Sequence, residues 1–377
     1  MNGGGELARV PGLVNAHTHA AMTLFRGYAD DLPLMEWLEK HIWPAERRLE
    51  VEDVYWGARL ACVEMIRTGT VSFWDMYWHP RATARAVRDA GLRAVIGAPL
   101  IDQGDPDQSD KLREVAARSL DEIVAEGGAA VEPALAPHSI YMVSEQSLRW
   151  IAETSAAREI PVQIHLSETE EEVHRCLEAH GERPAAYLDR VGLLGPRTVL
   201  AHGVWLDQAE LELIAERGAT IATNPVANLK LAVGGVFPYL RARDLDIPIG
   251  LGTDGAGSNN SLDLLADAKV FALLQKNDAG DPAAVTAEET LEIATGRRSD
   301  LLAGSPSDET YLLVRRDTPE LSLGDLEAGL VYAASGSAVD TTVVAGRKLM
   351  TGGMVDGADE VVGHARERAE RLGLTPD

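Results

Sequence analysis

Ten histidines occur in the 377 residues, and five of them fall at the ends of short apolar runs. His17 and His19 close GLVNAHTH, His138 closes VEPALAPH, His165 lies in PVQIHLSE and His202 closes TVLAH. Polar residues take matching places: Asp75 in TVSFWDM, Glu168 three residues after His165, Asn224 after ATIAT, and Asp254 at the end of IPIGLGTD. Side chains at i and i+2 of a strand share a face, so His17 and His19 can present two ring nitrogens to one ion. His165 and Asp254 complete a set of three imidazoles and a carboxylate. That set suits Zn²⁺, with Fe²⁺ as the alternative, and an open position left for water marks a catalytic rather than a structural site. A lone HxH pair is more often structural; matched donors in the fifth and eighth apolar runs reverse that weighting. Two other zinc patterns, HExxH and HxE…PCxxC, are absent.

The elements that must position these groups are short, β-branched runs at 13–19, 70–76, 93–100, 131–138, 161–168, 198–203, 219–225 and 247–254. Amphipathic segments at 81–90, 111–126, 145–158, 170–180 and 208–217 lie between them. Strand–helix alternation predicts parallel strands joined by crossover helices. Eight repeats predict an α/β fold, a closed (β/α)₈ TIM-like barrel whose strand C-termini form one catalytic face. A doubly wound sheet is the alternative, weakened because no GxGxxG follows the first run. The barrel is expected over 1–305 and a small β domain with a C-terminal helix over 306–377, with strands at 310–316 and 341–349 and the helix at 360–372. The polar loop 102–110 follows the third strand, where active-site loops of a barrel lie.

Composition narrows the partners. A formal net charge of -24 argues against nucleic acid and anionic membranes, which need clustered Lys and Arg. No stretch reaches the roughly 18 apolar residues of a membrane helix, and no secretory signal is visible at the start, so the expected location is the cytoplasm. Cys62 and Cys176 form neither a CxxC pair nor a disulfide framework. With six lysines, the acidic balance fits a high-salt cytoplasm; a GC-rich genome that trades Lys for Arg explains it equally.

The motifs PGLVNAHTHAAMTLFRG, IWPAERRL, APHSIY, IHLSETEEEV, LAHGVWL, NPVANLKL and LGTDGAGSNNSLDLL, in this order, resemble the amidohydrolase superfamily. They are most similar to its 5-methylthioadenosine/S-adenosylhomocysteine deaminase branch, over about residues 10–295. The resemblance implies one divalent metal held by His17, His19, His165 and Asp254. It implies that Glu168 shuttles a proton to the purine ring, that His202 hydrogen-bonds the attacking water, and that Asp254 takes a proton from it. His138 would contact the substrate and Glu46 would accept the ribose hydroxyls. The implied reaction is hydrolytic deamination of 5'-methylthioadenosine, S-adenosylhomocysteine or adenosine to the inosine analogue and ammonia. The chemistry is coherent, because a metal brings the pKa of water from about 15.7 toward 7 and a carboxylate exchanging protons near neutrality serves the ring nitrogen. Asp75 reads as structural, Asn224 and Asn228 as turn formers of the pocket wall, and 255–260 as a tight loop. Trp43 and Phe25 read equally as pocket lining or as packing.

The chain also departs from that pattern. Only about ten residues precede PGLVNAHTH, where several strands are usual, so the appendage is expected to be an N-terminally truncated sandwich with an exposed edge; a homo-oligomer is compatible with this. The segment 296–314 also reads as shortened. Where some members carry an Arg at the end of the third strand, this chain has Ala98-Pro99, and Lys111 or Arg113 is left to take that place. A missing bidentate clamp weakens recognition of a homocysteine carboxylate and favours methylthioadenosine or adenosine. Alternatives are another amidohydrolase, such as a guanine or cytosine deaminase or a triazine hydrolase, and a truncated, inactive barrel. A binuclear hydrolase bridged by a carboxylated Lys is disfavoured, as the fourth run has no Lys.

Overall fold

The computed structural model describes residues 6–102, 105–303 and 309–375. Twelve strands are present among them: β1 Leu7–Val10, β2 Leu13–Thr18, β3 Thr70–Met76, β4 Arg93–Leu100, β5 Val131–Pro137, β6 Val162–Leu166, β7 Thr198–His202, β8 Thr220–Thr223, β9 Ile249–Leu251, β10 Tyr311–Arg315, β11 Val339–Val344 and β12 Arg347–Met350. Strands β2 to β9 form one parallel sheet in sequence order. The ring closes where the Asp254 N–H donates to the carbonyl of His17 at 3.0 Å and the Asn15 side chain bonds both the amide and the hydroxyl of Thr253. Inside the ring, Gln163 donates to the Ala16 carbonyl at 2.9 Å. The expected eight-stranded barrel is therefore the observed one.

Each expected helix is present, with ends set by local chemistry. Ser144, Thr169 and Asp207 cap the helices Glu145–Arg158, Glu170–His180 and Gln208–Arg217 by accepting an N–H of the first turn. Apolar faces of the helices and outward faces of the strands share one continuous core that includes Leu92, Ile96, Leu120, Ile151, Leu188, Ile214 and Phe271. Because both faces of the sheet are covered, the strands read as apolar runs rather than as alternations.

The second sheet differs from the expectation. It has four antiparallel strands in the order β1-β10-β11-β12. β1 was not foreseen, and residues 341–349, read as one strand, straddle a hairpin. Ala345 and Gly346 both have positive φ, at 47° and 76°, as the twist of a two-residue hairpin requires. The C-terminal helix Ala358–Leu372 returns to the barrel helix Val51–Thr68. There Arg371 pairs with buried Asp53, and His364 stacks on Trp56 with ring centroids 4.1 Å apart. The expected boundary at 305/306 and the middle of the shortened segment lie outside the described residues.

Candidate metal centre and its cavity

His17 and His19 leave the end of β2, His165 stands in β6, and Asp254 follows β9. One donor atom from each lies within 4.8 Å of every other. The Nε2 atoms of His17 and His19 are 3.3 and 3.1 Å from Asp254 Oδ1, and His165 Nε2 is 3.3 Å from His19 Nε2. Donors about 2.1 Å from a shared tetrahedral ion would be separated by about 3.4 Å, so the four groups are already spaced for one cation. The surroundings fix which nitrogen is bare. His19 Nδ1–H donates to the Met76 carbonyl at 2.5 Å, and His165 Nδ1–H donates to the His138 carbonyl at 2.7 Å. A carbonyl only accepts, so each Nε2 is left as a lone pair facing the cluster.

Both ring nitrogens of buried His17 and Oδ1 of Asp254 have no hydrogen-bond partner. Orphaned buried polar atoms are costly, and a cation among them removes the cost. The other oxygen of Asp254 accepts from the Ser258 hydroxyl at 2.6 Å. Burial would raise the Asp254 carboxyl, but the His17 and His19 rings beside it hold it well below the ordinary carboxylate value. The residues therefore fit a divalent metal.

The strand ends are bent to aim these groups. Ser167, His202 and Asp254 have φ of 50°, 74° and 61°, in the left-handed region that side chains seldom adopt. Such strain gathers at functional sites, where the surrounding structure imposes it. Gly252 is required for the approach of β9 to β2. A Cβ there would lie 2.9 Å from the backbone N and O of His17 and would collide with the Asn224 side chain.

The cluster lies at the floor of a cavity, which His19, His165 and Asp254 line. Glu168, His202, His138 and Glu46 all line it. Glu168 Oε1 is 4.0 Å from His202 Nδ1; burial, and then the charge of Asp254, raise the Glu168 carboxyl to about 8. His202 Nδ1 is 2.8 Å from Asn228 Oδ1, and burial holds the ring below the usual imidazole value. His138 is pushed down to about 3 by burial and then by the neighbouring His19 and His17. Glu46 Oε2 accepts from the Trp78 indole N–H at 3.1 Å, and burial raises its carboxyl.

The other walls are apolar. Trp37, Leu38, Ile42 and Trp43 come from the irregular helical insert after β2, which includes a π-helical stretch at Leu38–Ile42. Trp43 lines the cavity, whereas Phe25 is wholly buried in the core beneath the insert. Asp75 Oδ1 accepts the Ala20 N–H at 2.6 Å. Neither candidate for the carboxylate clamp arrives. Lys111 is exposed on its helix, while Arg113 pairs with Asp110 and donates to the Ser109 carbonyl at 3.3 Å. Among the described residues, no Lys or Arg lines this cavity. The contacts of Ser258 with Asp254 and of Asn228 with His202 were not foreseen, although both residues stand in the conspicuous stretches GTDGAGS and NPVANLK.

Comparison with known proteins agrees with this geometry. The amidohydrolase family pattern matches residues 9–297. A 5'-deoxyadenosine deaminase of Methanoregula boonei is 46% identical over 99% of this chain and 86% of its own length. A 5-methylthioadenosine/S-adenosylhomocysteine deaminase of Archaeoglobus fulgidus is 42% identical over 98% of this chain and 89% of its own. Among solved structures, an adenosine deaminase from Xanthomonas campestris with bound zinc superimposes with a TM-score of 0.90 at 32% identity, covering 98% of this chain and 87% of that one.

Proposed function

Since the chain belongs to the amidohydrolase family, we propose that the cavity at the barrel mouth is the active site of a metal-dependent deaminase of adenosine-type nucleosides. The observation that carries this reading is the meeting, in one cavity, of the His17–His19–His165–Asp254 cluster with Glu168, His202 and Glu46. The named activities of the relatives and the zinc in the similar adenosine deaminase structure support it, and zinc is the metal proposed.

A divalent cation held by the four donors supplies Lewis-acid activation of water at neutral pH. The chain's own residues then manage the protons. With its carboxyl raised to about 8, Glu168 carries a proton at pH 7 and gives it to the ring nitrogen N1 as water adds at C6. The proton on His202 Nδ1 is committed to Asn228, so its Nε2 can hydrogen-bond the attacking water. Asp254, held ionised, accepts a proton from that water. The C6–N bond breaks; the oxygen of water stays on C6, and its two protons end on N1 and on the departing ammonia. Glu46 takes the ribose hydroxyls, with its other oxygen occupied by Trp78.

The apolar insert and the missing cation favour a nucleoside whose 5' substituent is uncharged, such as 5'-deoxyadenosine or 5'-methylthioadenosine, over one bearing a carboxylate. A panel of adenosine, 5'-deoxyadenosine, 5'-methylthioadenosine and S-adenosylhomocysteine tests this, followed by ammonia release and the change of adenine to hypoxanthine absorbance. Turnover of the first three is expected, with a lower kcat/KM for S-adenosylhomocysteine. In Glu46→Ala, KM for the ribosides is expected to rise about tenfold or more, with kcat within about threefold. No ammonia from any of the four nucleosides rejects the reading.

A further inference from the structure

Glu172 is a buried carboxylate that no step above uses. It belongs to the run Thr169-Glu170-Glu171-Glu172, the pattern of a capping box, in which the Glu side chain returns to the amide of the cap residue itself. Half of the box forms, with Thr169 Oγ1 accepting the Glu172 N–H at 3.2 Å. The other half is displaced by one residue: Glu172 Oε2 accepts the N–H of Glu168 at 2.9 Å.

We propose that Glu172 is a positioning residue for Glu168, fixing the peptide that turns this carboxylate into the cavity. The inference rests on the deaminase reading, in which Glu168 carries the proton. Glu168 lies three residues after His165, so a strand continued in register would aim it to the opposite side. Ser167 breaks the register with its left-handed backbone. Three bonds then hold the bend: Gly203 N–H to the Leu166 carbonyl at 3.0 Å, Trp205 N–H to the Ser167 carbonyl at 2.9 Å, and Glu168 N–H to Glu172. The first two come from the segment that follows β7, directly after His202. Only the third acts on the Glu168 amide itself. Removing the Glu172 acceptor leaves that buried N–H unpaired, and the peptide can recover a partner only by rotating, which takes the Glu168 side chain with it. A cap serving the helix alone would have taken the Thr169 amide.

The test compares Glu172→Met, which fills the same space without an acceptor, with Glu172→Gln, which keeps an oxygen in reach. The zinc-loaded enzyme is assayed with 5'-deoxyadenosine. Glu172→Met is expected to lose about 10- to 100-fold in kcat, with KM within about threefold and zinc content unchanged; Glu172→Gln recovers most of the loss. In a Glu168→Gln background, Glu172→Met adds less than about a twofold loss, since the two act as a unit. The placement of Glu172 is overturned by a wild-type kcat in Glu172→Met, by Gln no better than Met, by a loss of zinc, or by losses that multiply in the double variant. Should Glu172→Met not fold, Glu172→Asp, too short to reach the amide, replaces it with the same expected loss and the same overturning results. A wild type that releases no ammonia sinks the deaminase reading beneath; an active wild type with an unaffected Glu172→Met sinks only this placement.

Discussion

The shorter of two amide contacts decides which nitrogen of His202 is bare: the Asn228 side-chain oxygen, which can only accept, lies 2.8 Å from His202 Nδ1, while the Asn224 amide nitrogen stands farther off at 3.3 Å. The Nδ1 proton is thereby committed and Nε2 is left free on a ring that lines the cavity. Asn228 sits on the short helix Pro225–Lys230 after β8, its backbone tied to Asn224. Asn228→Ala removes the acceptor and lets the ring change tautomer. We expect kcat to fall about 10- to 100-fold while bound metal is retained. Steady-state kinetics beside metal analysis checks this; a wild-type kcat, or a fall that only follows lost metal, contradicts the orienting role.

What was legible in the sequence follows from physics that acts locally. The metal donors could be found because parallel strands, buried on both faces, read as apolar runs, against which His17, His165 and Asp254 stand out. Glu168 was found through its likeness to a known motif, while its direction depends on the left-handed Ser167, which no periodicity encodes. β1 was missed because LARV is four residues long and acquires its pairing from β10, about 300 residues away. Arg113 looked available as a clamp because its charge is visible in sequence; its commitment to Asp110 and the Ser109 carbonyl is not. Asn228 read as a turn former, since its bond to His202 is a tertiary contact between neighbouring strand ends.

The orphaned atoms of His17 and Asp254 predict strong coupling between metal and stability. Chelation is expected to lower the thermal midpoint, and added Zn²⁺ to restore it. At a thousandfold excess over its Kd, a ligand specific for the folded state stabilises by about 4 kcal/mol. In His17→Ala, metal content is expected to drop to about a tenth or less, and added Zn²⁺ to leave the midpoint nearly unchanged. Elemental analysis with calorimetry reads both effects. Stoichiometric zinc surviving in His17→Ala would remove this residue from the ligand set.

A different carboxylate should set the acid limit of the loop beside the cavity. Asp102 follows β4, directly after Ile101 of the cavity wall. Its Oδ2 accepts the hydroxyls of Ser147, Ser144 and Ser109 at 2.6, 2.7 and 2.7 Å, and its Oδ1 accepts the Ser144 amide at 2.7 Å. Burial alone would raise the carboxyl, but these four donors outweigh it and hold it at about 2. Because the folded value is depressed, the stabilisation is complete above the unfolded value near 4 and drains away as pH falls from there toward 2. Discounted for solvent screening, it amounts to about 1–2 kcal/mol at neutral pH. Asp102→Asn puts an amide donor where the serine hydroxyls need an acceptor. It is expected to be less stable than the wild type by about that amount at pH 7, with the gap constant down to about pH 5 and narrowing below 4. Urea unfolding of both proteins between pH 7 and 3 measures the gap directly. A gap that stays the same at pH 3, or that is missing at pH 7, would show that the ionised carboxylate does not hold this loop.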